Sequence, residues 1–98
     1  MLKVKVYAYV TREREGRTQA LVFRHRVPDA PEAGIQVPGG TAEPGERPAD
    51  ALLRELREEA GIALDDPGRL VTFSRWITPP EVKIRYDTWF FLTPAPDG

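Results

Sequence analysis

The 98-residue chain contains no cysteine, which removes both disulfides and thiolate metal sites from consideration and is in keeping with a reducing compartment. It has no apolar run approaching the ~20 residues that span a bilayer. The opening Met1-Leu2-Lys3-Val4-Lys5 lacks the apolar stretch of a signal peptide. Charge of one sign is also absent in excess: 14 Lys and Arg against 15 Asp and Glu leave a net charge of −1. No long-range field therefore draws the protein to nucleic acid or to an anionic membrane. Internal repeats and low-complexity tracts are missing as well. These absences predict one cytoplasmic domain over residues 1–98, with no membrane or nucleic-acid partner and a modest core.

What is present concentrates in one stretch, Gly40 to Ile62, reading GTAEPGERPADALLRELREEAGI. Pro48 suits a first helical position, and Gly61 suits the left-handed residue just beyond a helix end. Ala49, Leu52, Leu53, Leu56 and Ala60 recur at three- and four-residue steps and form one apolar stripe. A helix over about Arg47 to Ala60 is predicted, with Ile62 folding back on Leu56.

Beside that stripe, Glu55, Glu58 and Glu59 fall within roughly 100° of one another, with Arg54 and Arg57 turned toward the other flank. Like charges at this spacing cost an isolated helix about 0.2–0.5 kcal/mol per pair. A charged run opposite an apolar stripe is usually a solvated face. Carboxylates converging on one face are also what a hard cation such as Mg²⁺ prefers, since it takes oxygen ligands and retains waters for exchange with phosphates. Two such ions would clamp the attacking and leaving oxygens of a displacement at phosphorus.

The context selects between these readings. Val37-Pro38-Gly39-Gly40 lets backbone approach something closely, and Glu46 follows at the helix entrance. Gly40, five residues, Glu46, seven residues and then Arg54-Glu55-Leu56-Arg57-Glu58-Glu59-Ala60-Gly61-Ile62 resemble a complete box of the Nudix (MutT-like) hydrolase family. That resemblance implies an α/β/α sandwich with a mixed sheet. It also implies Mg²⁺- or Mn²⁺-dependent hydrolysis of nucleoside diphosphates linked to another group. Carried over by position, Glu58 and Glu59 would be the principal metal ligands, and Glu55 a further ligand or the base that deprotonates water. Arg54 would orient Glu55, Gly40 would offer its carbonyl to a metal, and Glu46 would support the ligands from behind.

Outside the box, strands are predicted over Lys3 to Val10, Gln19 to Arg26, Ile35 to Val37, Leu70 to Ile77 and Lys83 to Leu92. Thr11 to Thr18 reads as a long polar hairpin tip, and Phe90 and Phe91 as core. Arg24 and Arg26 are candidates for a phosphate or carboxylate, and Arg85 for the same substrate side. His25, between two arginines, reads as a surface or substrate-side residue. Asp65 and Asp66 read as turn chemistry ahead of Pro67-Gly68. Trp76, with Tyr86 and Trp89, is a candidate for stacking on a base.

Two signals bear on the substrate. Pro79 falls 17 residues beyond Ile62, close to a proline that the family associates with ADP-ribose hydrolases. Trp76-Ile77-Thr78-Pro79 with Arg85-Tyr86-Asp87-Thr88 is similar to members associated with coenzyme A cleavage, and a nucleoside triphosphate stays open. The family usually continues with a strand and a second, sheet-covering helix, neither of which is legible in Thr93 to Gly98. The expected fold is therefore short at its C-terminus, one sheet face or edge is expected to be uncovered, and a homodimer is expected to use it. Glu81 reads as a solvated loop acid rather than a ligand. The alternative to an enzyme is a nucleotide-binding or protein-interaction module that keeps the box without turnover.

Overall fold

The computed structural model describes residues 2–24, 35–64 and 70–96. Its elements in chain order are β1 (Lys3–Arg14), β2 (Arg17–Ala20), β3 (Phe23–Arg24), β4 (Ile35–Gln36), β5 (Gly39–Thr41), α1 (Pro48–Ala60), β6 (Val71–Ile77) and β7 (Tyr86–Pro94). The main sheet is mixed, as expected for an α/β chain of this kind. Its order is β2-β1-β7-β6, with β5 also paired to β1. β1 and β7 run parallel, while β2, β5 and β6 are antiparallel to their neighbours.

Alternation along β1 sets the core. Val6, Ala8 and Val10 turn to one face and are buried, as is Phe91 of β7, and against them pack Ala51, Leu52 and Leu56 of α1. A strand's side-chain period of two sends Lys5, Tyr7 and Tyr9 to the opposite face. Of the predicted apolar stripe, Leu52 and Leu56 are fully buried, whereas Leu53 is half-buried and Ala51 takes a core position beside them. Among the described residues α1 is the one helix, and none is long and apolar enough to cross a membrane.

Both ends of α1 follow from its sequence. Pro48 opens it, and Gly61 closes it in the left-handed region at φ 65°, where a glycine meets no Cβ penalty. The Gly61 amide donates to the Arg57 carbonyl, and the Ile62 amide to that of Leu56.

Four expectations are corrected. The hairpin tip is the two residues Glu15 and Gly16, at φ 52° and 76°, and not Thr11 to Thr18: β1 continues to Arg14 and pairs with Arg17. Two positive φ values in a two-residue loop match the right-handed twist of the strands. The stretch Gln19 to Arg26 is divided between β2 and β3. Strand β2 is fully exposed, so its pairing rests on backbone hydrogen bonds and on side-chain bonds from Arg12 to Gln19 and from Thr18 to Glu13, and it leaves no apolar alternation to read. Strand β7 begins at Tyr86 rather than Lys83, and within it Phe91 enters the core while Phe90 turns to the other face, stacked 5.9 Å from Tyr7.

Candidate functional site

The site forms where α1 leans over β5. Gly40 faces α1, and a Cβ there would run into the Glu55 carboxyl group; a Cβ at Gly39 would strike the Val6 carbonyl oxygen and the Tyr7 ring. The two glycines therefore do different work. Gly40→Ala is expected to displace a movable carboxylate, costing turnover while leaving the melting temperature near wild type. Gly39→Ala meets backbone and is expected to loosen the β1–β5 pairing. Melting curves and turnover on the two variants check this, and equal losses of stability would refute the division.

Arg54 is the hub. Its Nε and Nη2 donate to the two carboxylate oxygens of Glu46 at 3.0 Å each. Nη2 also reaches the Thr41 carbonyl at 3.1 Å. Nη1 donates to Glu55 at 3.0 Å and more weakly to Glu58 at 3.4 Å. A planar fork can serve these four partners at once, which an ammonium cannot do with the same geometry. Glu46 is held in turn by the Glu43 amide at 2.9 Å. Glu59 lies 3.5 Å from the Gly39 amide, so Glu55 and Glu59 meet at the Gly39-Gly40 edge, while Glu58 joins them through Arg54.

The electrostatics differ among them. The Arg54 guanidinium, helped by the Glu43 amide, holds the Glu46 carboxyl below its usual range. The same contacts raise the Arg54 pKa further. Burial pushes Glu55 up, and neighbouring Glu59 adds to the rise while Arg54 opposes it. Glu58 and Glu59 are both exposed, Glu58 with 60% of its side chain accessible against 13% for Glu55. Every donor aimed into this space is oxygen, which suits a hard divalent cation. Among the described residues no three acidic groups stand already arranged as a metal cage.

The other candidates are dispersed. Arg24 lies on β3, while His25, Arg26, Asp65 and Asp66 fall outside the described residues. Arg85 is half-buried and spends Nε and Nη2 on the Thr78 carbonyl, both at 3.3 Å. Trp76 is 73% exposed on β6, and Glu81 is exposed in the turn ahead of β7. A cavity of 560 Å³ lined by Val10, Arg12, Leu21 and Ile62 lies apart from the carboxylates.

Sequence reasoning missed two groups. The Thr41 carbonyl ties Arg54 to β5, a backbone role without any side-chain signal. Arg75 grips Asp87 through Nε and Nη2 at 2.9 and 2.8 Å and sits 4.3 Å above the Trp89 ring. That grip holds the buried Asp87 carboxyl below its usual range against the opposing effect of burial. Trp89 Nε1, also buried, makes no hydrogen bond of normal length, though it faces Asp87 closely enough to favour the ionised form. Only the β6–β7 register reveals this cluster.

Comparison with known proteins places the fold and the box together. The RNA pyrophosphohydrolase of Cereibacter sphaeroides is 36% identical over 67 residues, covering 65% of this chain and 41% of the relative. The chain thus matches about two-fifths of the length of that curated relative. A MutT NUDIX hydrolase from Burkholderia pseudomallei superposes with a TM-score of 0.67 at 27% identity, over 97% of this chain and 68% of its own. A MutT/nudix family protein from Enterococcus faecalis superposes with a TM-score of 0.77 over 96% of this chain and 37% of its own; at 18% identity it speaks for the fold alone. The NUDIX domain family is matched along residues 1–97, and with Arg54 joined to Glu46, Glu55 and Glu58 and with Glu55 set against Gly40 the chain belongs to that family.

Proposed function

We propose that the chain hydrolyses the diphosphate linkage of a nucleoside diphosphate derivative, with a divalent cation as cofactor. The observation that carries this reading is the carboxylate cluster around Arg54, closed against Gly40 so tightly that a methyl group would not fit. Glu55, Glu58, Glu59 and the Gly40 carbonyl would hold Mg²⁺ or Mn²⁺. When bound, such an ion makes water acidic enough to attack near neutral pH and neutralises phosphate charge.

The chain's own residues divide the rest. Glu55, already biased by burial toward accepting a proton, is placed to take one from the attacking water. Arg54 fixes the Glu55 carboxylate, and Glu46 fixes Arg54 from the side away from substrate. Glu58, exposed like Glu59, would be free to meet a cation that accompanies the incoming phosphates.

Substrates compatible with this chemistry are ADP-ribose, coenzyme A-type diphosphates, nucleoside triphosphates and, from the name of the Cereibacter relative, a 5′-polyphosphorylated RNA end. The protein is read as cytoplasmic. Phosphate-product release with Mg²⁺ across these substrates tests the reading: turnover of one class supports it, and silence from a folded protein that binds Mg²⁺ replaces it with a non-catalytic module. A homodimer completes the reading. Every residue of β6 is exposed, and among the described residues its outer edge pairs with no strand and so offers backbone to a second copy. Sedimentation at micromolar concentration is expected to show a dimer, and a monomer would remove this part.

A further inference from the structure

One edge of β1 carries both the site and an arm. Strand β7 occupies the other edge, so β5, paired with Lys5 to Tyr7, and β2, paired with Thr11 to Arg14, follow one another along the same side of β1. Past Val10, whose carbonyl accepts from the Leu21 amide at 2.8 Å, β1 and β2 continue to Arg14 and Arg17 as an exposed hairpin. The side-chain period of two puts Arg12 and Arg14 on the face of Val6, Ala8 and Val10, and the register sets Gln19 opposite Arg12 and Arg17 opposite Arg14. Three arginines therefore share the α1 face of the arm. Glu13, bonded by the Thr18 hydroxyl, turns to the other face, and neither strand of the arm puts a carboxylate among the arginines. Like charges directly opposite, as at Arg14 and Arg17, destabilise a hairpin. Among the described residues neither of them has an ion-pair partner. Arg12 donates through Nε to Gln19 at 2.8 Å, which steadies the side chain and leaves its terminal nitrogens for another acceptor.

The arm borders the cavity beyond the cap of α1. At 560 Å³ it is of the size that small molecules occupy. Its walls divide chemically, with Val10, Leu21 and Ile62 apolar and Arg12 and Gln19 polar. Two lines of chain connect it with the carboxylate edge. Along β1, Gly39 stands opposite Tyr7, so Val10 lies about 10 Å and Arg12 about 17 Å further on. Along α1, Glu59 at the Gly39 amide is followed after the cap by Ile62 in the cavity wall. From a diphosphate at Glu55 and Glu59, apolar wall comes first and guanidinium next.

We propose that the cavity and the arm form a subsite for a phosphomonoester that the substrate carries on the far side of its nucleoside from the scissile diphosphate. The proposal rests on the hydrolase reading above. The nucleoside lies against Val10, Leu21 and Ile62, and the extra phosphate meets Arg12, Arg14 and Arg17. A tetrahedral, nearly doubly charged group accepts from several guanidinium forks at once. It thereby supplies the opposed Arg14 and Arg17 with the countercharge that the arm itself does not provide.

The test compares kcat/KM with Mg²⁺ within two matched pairs that differ by one ribose phosphate, NADP against NAD and coenzyme A against its 3′-dephospho form. Calorimetric binding of adenosine 2′,5′- and 3′,5′-bisphosphate against adenosine 5′-monophosphate, without metal, runs beside it. The phosphorylated member of one pair is expected to be better by about tenfold, through KM, and the matching bisphosphate to bind about tenfold tighter. Both preferences should shrink as salt is raised. In Arg17→Glu they vanish, because one cation is lost and Arg14 gains a carboxylate opposite it. The same change turns a like-charged cross-strand pair into an opposite one, so the melting temperature should stay level or rise. Weaker binding by a protein at least as stable as wild type is not a loss of folding. A preference that survives Arg17→Glu overturns the subsite. So does turnover that depends on Glu58 but ignores the extra phosphate, with bisphosphates binding no better than the monophosphate, and that result leaves the hydrolase standing. A bisphosphate preference abolished by Arg17→Glu, with no substrate turned over, keeps the subsite and removes the hydrolase reading.

Discussion

Glu58→Gln is expected to abolish phosphate release by about three orders of magnitude while the protein keeps its melting temperature. The separation follows from exposure and partners. Glu58 has 60% of its side chain in solvent and contributes one long contact, 3.4 Å, to Arg54, so the fold asks little of it. A neutral amide of the same shape keeps the side chain's volume and loses the charge. Charge is what a hard cation requires, because an amide oxygen competes poorly with water for Mg²⁺, and preorganised charge at a phosphoryl centre accounts for factors of about 10²–10³. Helix stability should change little, since a like-charged pair with Glu55 and the opposite-charge pair with Arg54 are removed together. Steady-state turnover at saturating Mg²⁺, beside a thermal melt, is the measurement. Partial recovery at high Mn²⁺ would place the defect in metal affinity, and a variant that keeps its wild-type rate would remove Glu58 from the chemistry.

The box was the most legible part of the chain because its signals are local. Pro48 and Gly61 mark the helix ends through backbone chemistry that operates within a few residues. Gly40 is different: its need for a missing side chain comes from Glu55, fifteen positions on, and spacing alone exposes that need. The helical projection turned Arg54 away from the glutamates, yet in the structure it contacts Glu46, Glu55 and Glu58. A projection counts Cβ directions and ignores the reach of a guanidinium, which crosses one flank of a helix easily.

The strands were less legible for the opposite reason. Strand β2 carries no buried side chain and hence no alternation, and β6 is exposed along its whole length. The set of ring contacts from Tyr7 to Phe90, Phe90 to Phe73 and Phe73 to Tyr9 was invisible for a further reason. It assembles residues from three strands through register, and an aromatic run read along β7 alone looks like core. The bulge between Thr72 and Ser74 adds to this, because one extra residue reverses the face on which each later side chain falls.

Removal of Arg54 is expected to be the second large effect, and its signature distinguishes a scaffold from a ligand. Arg54 is the cation shared by Glu46, Glu55 and Glu58. Arg54→Ala leaves those carboxylates facing one another and Glu59, so the metal-free protein should melt lower, and Mg²⁺ should raise its melting temperature more than it raises that of wild type. Turnover should fall by about 10–100-fold, the usual cost of losing a group that orients metal ligands. Arg54→Lys restores charge without the fork and should recover stability more than rate. Acid dependence gives an independent check. Glu46 is depressed below its ordinary 4.5 in the folded protein, so its contribution is complete above that value and is lost as pH falls through the lower folded one. Glu55, raised by burial, works in the other direction: what it contributes is present below 4.5 and is lost as pH climbs through its raised value. In wild type the first effect steepens acid unfolding, and in Arg54→Ala, with Glu46 released toward its ordinary value, that limb of the curve should flatten. Melting temperatures across the acid range, with and without Mg²⁺, read all of this at once. An Arg54→Ala protein with an unchanged acid limb and a wild-type Mg²⁺ increment would mean that the fork at Glu46 does not organise the site.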